Sequence, residues 1–324
     1  MSGLEITTKK RMAFAAGRSN PELADEIAKH LGITCADVEI SDFANGEIYF
    51  RFEENVRGSD VFVFQTHSHP INKQIMEQLI MIDAAKRASA KRISAVIPFY
   101  GYSHQDKKTR GREPITSRLV ADLLTTAGAD RVLTVDLHTS QIQGFFDKPV
   151  DHLTALPLLA DYLGEKFNGD LVVVSPDAGR VRVAEKFAGR LHSSVAFLHK
   201  RRRPDARNVS ETLEVVGQVK GRRCVLVDDM IDTAGTITGG AKVLMDAGAE
   251  EVYACATHGI LSDPAIYRIK DAPIKEVVLT NTLPIPDERR LDNITVLSIA
   301  PIIASTIKAV FSDESVSEIF QGEN

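Results

Sequence analysis

Short runs of β-branched and aromatic residues recur along the chain and are separated by segments of helical length. Six runs predict buried strands, namely 61–64, 93–97, 132–135, 171–174, 225–227 and 252–255. Strands that are apolar on both faces are typical of a parallel sheet covered by helices on each side. The segment 72–88 has apolar residues at helical spacing and is predicted to be one of these helices. The pattern therefore predicts an α/β architecture.

A weak internal repeat occurs at 87–93, 126–132 and 246–252, where small residues, two charged residues and a β-branched residue follow one another. Either helix-to-strand joints resemble one another, or the chain has two related α/β domains in tandem. The length of 324 residues suggests about two domains, and a proline-containing stretch near 148–156 marks a boundary. We predict domains at 1–152 and 153–301, with the C-terminal tail, about 302–324, able to pack back on the first.

Composition excludes several classes of protein. Lys plus Arg number 39 and Asp plus Glu 44, a net charge of −5 that gives no basic footprint for duplex nucleic acid. The N-terminus lacks the apolar core of a secretory signal, and the weakly polar stretch 296–311 is too short and interrupted to span a bilayer. The three cysteines form no CxxC pair and are expected to be reduced thiols. We therefore expect a cytoplasmic protein whose partners are neither nucleic acid nor membrane.

The segment VDDMIDTAGT at 227–236 carries the strongest chemical signal. Asp228 and Asp229 lie at the carboxyl edge of the buried strand 225–227, a loop of small and hydroxyl residues follows, and a helix is expected from Ile237 onward. Such a loop presents backbone N–H groups and a positive dipole end to an anion, at the strand edge where ligands of open α/β sheets bind. Carboxylates accept hydrogen bonds from sugar hydroxyls, so a pentose phosphate suits both halves. The alternative is an acidic cap on a structural helix.

Three further segments are ambiguous by themselves. Asp136 and His138 follow the strand 132–135 and, by alternation, are expected to share a face and to be able to hold Mg²⁺; a capped strand end is the alternative. Asp177, in SPDAG at 175–179, either faces the same crevice or is a turn residue. The cations of 200–203 suit a polyphosphate transition state or form a solvated surface run.

These segments together resemble the class I ribose-phosphate diphosphokinases, or phosphoribosyl pyrophosphate synthetases. The resemblance runs from 43–47 to 314–317, and its most specific pieces are 135–146, 175–179, KRR at 200–202 and 227–236. It implies two tandem phosphoribosyltransferase-like domains, each a mostly parallel sheet flanked by helices. The implied reaction transfers the diphosphoryl group of ATP to the 1-hydroxyl of ribose 5-phosphate, giving phosphoribosyl diphosphate and AMP for nucleotide biosynthesis. Mg²⁺ as cofactor, inorganic phosphate as activator and a homohexamer are implied as well.

The resemblance also implies roles for individual residues. The expected catalytic cations are Lys200 and Arg202. The ribose 5-phosphate residues are Arg202, Asp228, Asp229, Asp232, Thr233, Ala234, Gly235 and Thr236. The ATP residues are Phe43, Asn45, Gly46, Glu47, His104 and Gln105, with the 43–47 turn reaching a site shared with a neighbouring subunit. The metal residues are His138 and Asp177, with Asp136 as a further candidate, and the allosteric residues are Arg57, Ser315 and Ser317. The chain departs from the usual pattern at His104, where the family has Arg, and at Ala234, where Gly is commoner.

Two other functions stay open at this point. A phosphoribosyltransferase that consumes phosphoribosyl diphosphate shares the Asp-Asp loop, but does not need the 200–202 cations or a second α/β domain. A non-catalytic regulatory member of the same family would share the fold, but such proteins typically carry insertions or lose the loop cations, which are present here. No residue is assigned as a general base.

Overall fold

The computed structural model describes residues 10–167, 171–201 and 212–316, with backbone only at 200, 201 and 212. The chain divides into two compact units, one of Met1–Leu153 with Ala300–Asn324 and the other of Thr154–Ile299. Each unit contains its own sheet, parallel in the first unit and mostly parallel in the second, with helices packed on it. The expectation of two tandem α/β domains, each a mostly parallel sheet flanked by helices, is therefore confirmed.

The first unit contains a five-stranded parallel sheet in the order β1-β4-β5-β6-β7. Its strands are β1 (Met12–Ala16), β4 (Asp60–Phe64), β5 (Arg92–Ile97), β6 (Arg131–Val135) and β7 (Val150–Leu153). Its helices are α1 (Pro21–Leu31), α2 (Ile71–Arg87), α3 (Thr116–Ala127) and α8 (Ala300–Ser312). All five residues of β4 are buried, as the continuous apolar run predicts for a strand covered on both faces. The helix predicted at 72–88 is confirmed as α2.

A separate antiparallel hairpin belongs to the first unit. It consists of β2 (Val38–Asp42) and β3 (Ile48–Phe52), in register from Val38 opposite Phe52 to Asp42 opposite Ile48. Gly46 in the connecting turn has φ +90°, a conformation that residues with a Cβ rarely adopt. The hairpin therefore presents the 43–47 turn at its tip.

The second unit contains a seven-stranded sheet in the order β10-β9-β8-β11-β12-β13-β14. Its strands are β8 (Val172–Ser175), β9 (Ser194–Arg201), β10 (Thr212–Val216), β11 (Arg223–Ile231), β12 (Glu251–Gly259), β13 (Val277–Thr280) and β14 (Ile294–Leu297). Its helices are α4 (Leu156–Phe167), α5 (Val181–Leu191), α6 (Gly235–Asp246) and α7 (Ala265–Lys270). Only the β9–β10 pair is antiparallel among the described strands of this sheet.

The three copies of the repeated sequence pattern all lie where a helix leads into the next parallel strand. They join α2 to β5, α3 to β6 and α6 to β12. The small residues Ala129 and Ala249 at two of these joints are buried, which keeps the helix end close to the sheet. Both readings of the repeat hold, because the joints resemble one another and the two units share one architecture.

The C-terminal helix α8 follows the second unit in the chain but packs with the first. It contacts α1, and beyond its last turn Asp313 pairs with Lys10 at 2.5 Å and with Arg92 at 2.6 Å. These ion pairs join residues more than two hundred positions apart. In the described part of the chain, no helix has the length and apolar character that crossing a membrane requires.

Candidate active site

Strand β11 is longer than the sequence predicted, so Asp228 and Asp229 lie within the strand and not after it. The apolar run predicted a strand ending at Val227, but β11 continues through both acids to Ile231. Pairing with β8 stops at Leu226, whereas pairing with β12 continues to Ile231 opposite Gly259. Because one neighbour stops and the other continues, the carboxylates lie past the end of β8 while their backbone stays in the sheet. The side chains of Asp228 and Asp229 are only 16% and 8% exposed.

The acidic pair has a cationic partner that the sequence analysis missed. Arg180 places Nη2 2.6 Å from Asp229 Oδ2 and Nε 3.6 Å from Asp228 Oδ1. Burial raises the pKa of the Asp228 carboxyl, its hydrogen bond and like charge with Asp229 raise it further, and the charge of Arg180 lowers it. Its position in the sequence could have identified Arg180 as a candidate, because it comes directly after SPDAG at the end of a neighbouring strand.

The loop after β11 has the geometry of an anion cradle. Helix α6 begins at Gly235, two residues before the predicted start at Ile237, and no side chain caps its N-terminus. The capping residue Ala234 has φ +59°, a left-handed conformation that explains why Gly is commoner at this position. Thr233, Gly235 and Thr236 are exposed, so backbone N–H groups and hydroxyls are accessible to a ligand. The carbonyl of Thr233 accepts a hydrogen bond from Arg268 Nη1 at 2.9 Å.

Asp177 lies in the turn after β8, in the second unit. Its Oδ1 accepts hydrogen bonds from the N–H groups of Gly179 at 2.7 Å and Arg180 at 3.1 Å. The hydroxyl of Ser175 donates to the Asp177 carbonyl at 2.6 Å, which fixes the turn from the other side. Asp177 is therefore a turn residue, as one of the two alternatives predicted, and it stabilises the turn through one carboxylate oxygen.

In the first unit, the segment 99–106 lies beside the segment that follows β6. The rings of His104 and His138 have centroids 5.6 Å apart, and Thr139 Oγ1 donates to Asp106 Oδ2 at 2.8 Å. A candidate nucleotide residue and a candidate metal residue are thus brought together. Gln105 accepts a hydrogen bond from Thr116 Oγ1 at its Oε1, at 2.6 Å, which fixes the side chain.

The strand alternation from which Asp136 and His138 were expected to share a face does not apply at these residues. Strand β6 ends at Val135, and Asp136 has φ +37°, outside the extended conformation on which alternation depends. The Asp136 N–H donates to the carbonyl of Leu153 at 2.9 Å, which holds the backbone in this bend. Among the residues that the structure describes, no three His, Cys, Asp or Glu side chains form a cluster able to hold a metal ion.

The 43–47 turn borders a depression of about 590 Å³ on the first unit. Its lining residues are Phe43, Gly46, Glu47, Ile48, Lys73, Met76 and Ile80. The Phe43 ring is 54% exposed and meets Tyr49 edge-on. Asn45 Oδ1 accepts the Glu47 N–H at 3.2 Å, which stabilises the turn. An exposed aromatic ring beside a polar turn can stack on and hydrogen-bond a base.

The base of this turn is held by charged residues. Asp42, directly before it, pairs with Arg18 at 2.8 Å and Lys73 at 2.6 Å, which together hold the pKa of its carboxyl at about 2. Arg18 also donates from its backbone N–H and from Nε to the buried carboxylate of Glu77. The turn is thereby tied to the interior of the first unit.

The remaining predicted residues are only partly described. Lys200 lies in β9 opposite Leu213, but its side chain is outside the described residues, as is the whole of Arg202. Asn55 Oδ1 accepts a hydrogen bond from the N–H of Arg57 at 3.0 Å, so Arg57 lies in a turn that begins at Asn55. Ser315 is exposed just beyond α8, and Ser317 lies outside the described residues.

A parallel sheet that ends in adjacent carboxylates, followed by a small-residue loop at a helix N-terminus, defines the class of phosphoribosyl-binding α/β proteins. Residues 12–128 match the family described as the N-terminal domain of ribose phosphate pyrophosphokinase, and residues 206–321 match the phosphoribosyl synthetase-associated domain. The chain belongs to the ribose-phosphate pyrophosphokinase family.

The similarity to individual members extends over nearly the full length. The chain is 60% identical to the ribose-phosphate pyrophosphokinase of Streptomyces avermitilis over 321 residues, which are 99% of each chain. It is 56% identical to that of Mycobacterium tuberculosis over 97% of each chain. The crystal structure of phosphoribosylpyrophosphate synthetase from Mycobacterium smegmatis superposes with a TM-score of 0.89 at 57% identity, covering 94% of this chain and all of that one.

Proposed function

We propose that the chain transfers the diphosphoryl group of ATP to the 1-hydroxyl of ribose 5-phosphate, giving phosphoribosyl diphosphate and AMP. The observation that carries this proposal is the site on β11, where two carboxylates adjoin an uncapped helix N-terminus in a member of this family. The reaction supplies an activated pentose for nucleotide biosynthesis.

The proposed pentose site is built entirely from residues of the second unit. Asp228 and Asp229 accept hydrogen bonds from the vicinal hydroxyls of the sugar, because ionised carboxylates are acceptors only. The 5-phosphate binds at 232–236, where exposed N–H groups and the dipole of α6 favour an anion. A ligand with hydroxyls at one end and a phosphate at the other satisfies both.

The residues proposed to bind ATP all belong to the first unit. Phe43 and the turn that follows it contact the base, and His104 with Gln105 contacts the nucleotide. His104 stands where the family usually has Arg, so a permanently charged guanidinium is replaced by a titratable imidazole.

The donor chemistry of the chain fits Mg²⁺. This cation is usually held by one or two carboxylates together with waters and substrate phosphates rather than by an all-protein cage. Asp177 has one oxygen engaged by two N–H groups, which orients the carboxylate for such a role. We propose Asp177 and His138 as the metal-binding residues, with Asp136 as a further candidate. When bound, Mg²⁺ neutralises phosphate charge and orients the nucleotide.

The chemistry is in-line attack of the ribose 1-hydroxyl on the β-phosphorus of ATP, with AMP as the leaving group. Transfer of this kind depends mainly on positioning and on neutralising charge that develops on phosphate oxygens. Lys200 and Arg202 are proposed to supply that charge, and Arg202 also contacts ribose 5-phosphate. The acids and loop of the second unit hold the attacking sugar.

Assembly and regulation are further parts of the proposal. We propose a homohexamer in which the 43–47 turn reaches a site shared with a neighbouring subunit. Phosphate activates, and ADP inhibits partly without competing with ATP, at a site formed by Arg57, Ser315 and Ser317; an arginine fork and serine hydroxyls suit an oxyanion. A cytoplasmic location is proposed from the three cysteines, none of which forms a disulfide in the structure.

The regulatory proposal is tested with Arg57→Ala. This variant should lose activation by inorganic phosphate while retaining ribose 5-phosphate binding by calorimetry. Wild-type activity that is independent of phosphate over the millimolar range, with the oligomer intact, would exclude the class I assignment and leave the reaction itself standing.

The experiment that tests the reaction is AMP release from ATP, measured with and without ribose 5-phosphate. We expect AMP only when both substrates are present, with phosphoribosyl diphosphate formed in equal amount. A phosphoribosyltransferase would instead consume phosphoribosyl diphosphate in the presence of a nucleobase acceptor. A non-catalytic member would release no AMP although it bound the substrates.

A further inference from the structure

Arg180 occupies a position that the proposed reaction does not by itself explain. It follows the turn after β8 and is the residue before α5. Its side chain is only 17% exposed, and its guanidinium reaches both acids of the pentose site, 2.6 Å from Asp229 Oδ2 and 3.6 Å from Asp228 Oδ1. A largely buried arginine is thus directed at the two carboxylates that bind the sugar.

The turn that carries Arg180 is fixed by its own hydrogen bonds. Asp177 accepts the N–H groups of Gly179 and Arg180 at one carboxylate oxygen, and Ser175 donates to the Asp177 carbonyl. Because β8 lies next to β11 in the sheet, this turn ends beside the acidic pair. The direction of Arg180 is therefore set by the 175–179 motif.

The acidic pair has an electrostatic problem that a cation at this place offsets. Two adjacent carboxylates that are largely buried lose hydration and repel each other. The substrate adds a further negative charge, since its phosphate is to bind at 232–236. A single guanidinium reduces the local charge but cannot occupy every acceptor of two carboxylates, which leaves oxygens for the sugar hydroxyls.

We propose that Arg180 is a positioning residue of the pentose site, which fixes Asp229 and offsets the charge of the acidic pair so that a phosphorylated sugar can bind there. This inference rests on the proposed function, because it assigns Arg180 to the ribose 5-phosphate site. It acts through the two acids and on the sugar substrate, and not on the nucleotide.

The test compares Arg180→Met with Arg180→Lys, using Arg182→Met as a matched control. Arg182 is an exposed arginine on the first turn of α5. Ribose 5-phosphate binding is measured by calorimetry, and KM for each substrate by AMP release. We expect Arg180→Met to weaken ribose 5-phosphate binding by about 30-fold, the scale for removing one partner of a buried charge pair, with KM for ATP changed less than about threefold. Arg180→Lys should recover at least threefold of the lost affinity, because it restores the charge without the fork.

Two results would overturn the inference. One is unchanged ribose 5-phosphate affinity in Arg180→Met with only a lower unfolding temperature, which would make the ion pairs purely structural. The other is a lysine variant as defective as the methionine variant, which would remove charge as the cause. Arg180→Gln replaces Arg180→Met if the latter does not fold. If wild-type protein itself fails to bind ribose 5-phosphate, the proposed function fails, and this outcome is distinct from both.

Discussion

The clearest energetic consequence of the site is that Asp228 should lower the stability of the unliganded protein. We predict that Asp228→Asn raises stability at neutral pH while it abolishes ribose 5-phosphate binding. Asparagine keeps the acceptor oxygen that takes the Asp229 N–H at 2.9 Å. It removes an ionisable group whose charged form is opposed by burial and by the like charge of Asp229, which is a common conflict between stability and function.

The magnitude follows from three contributions. At about 4 Å and an effective dielectric constant of about 20, a pair of unit charges interacts by about 4 kcal/mol. Repulsion by Asp229 and attraction by Arg180, whose Nε lies 3.6 Å from Asp228 Oδ1, act in opposite directions and partly offset each other. The dehydration of the buried carboxylate remains, a cost of several kcal/mol that the residual exposure reduces. We expect a net gain of about 1–3 kcal/mol on substitution.

The pH dependence has a definite sign. The pKa of Asp228 is raised in the folded protein, so unfolding at low pH leaves its protonation unchanged, while at higher pH the unfolded state loses this proton more readily. Wild-type stability is therefore lost as pH rises from the ordinary carboxyl pKa of about 4 towards the raised value. The advantage of Asp228→Asn should grow over that interval and then level off.

The assay is thermal unfolding of the unliganded protein between pH 4 and 8, at about 2–4 °C of midpoint shift per kcal/mol. Asp232→Asn, in the loop after the strand, is the control and should shift stability by less than about 0.5 kcal/mol. A lower midpoint for Asp228→Asn at neutral pH would refute the reasoning, because it would make the buried charge a net stabilising group.

Three other predictions concern separate parts of the chain. Lys200→Ala should lower kcat far more than it raises KM for either substrate in steady-state kinetics, because the lysine is proposed to stabilise charge that develops only in the transition state. A change confined to KM would contradict the catalytic role. Arg18→Met should lower the free energy of unfolding by about 2 kcal/mol in urea titrations, since it leaves the fully buried Glu77 carboxylate without its cation. A loss of stability no larger than that caused by substituting an exposed arginine would contradict the prediction. Burial lowers the pKa of His67 to about 4, so the free energy of unfolding should fall by about 3 kcal/mol as pH drops from about 6.5 to 4. His67→Gln should remove this part of the pH dependence of stability.

The sequence by itself determined the architecture and the chemistry of the pentose site. Continuous apolar runs such as 61–64, which are short and rich in β-branched and aromatic residues, favour strands buried on both faces. The order of residues in 227–236 specifies carboxylates, then small residues, then a helix, because local conformation follows local sequence. The prediction erred at the boundaries, where β11 continues four residues beyond Val227. That extension depends on pairing with β12, which a single strand does not reveal.

Tertiary structure alone decided which distant residues meet. Arg180 reaches the acidic pair because β8 neighbours β11 in the sheet, and strand order is a property of the whole fold. The return of α8 to the first unit depends likewise on packing against α1 and on the ion pairs of Asp313. The left-handed conformation of Ala234 became evident only in the loop geometry. The physical reason is the same in each case, because contacts between residues far apart in the chain depend on how the elements pack and not on the local sequence of either partner.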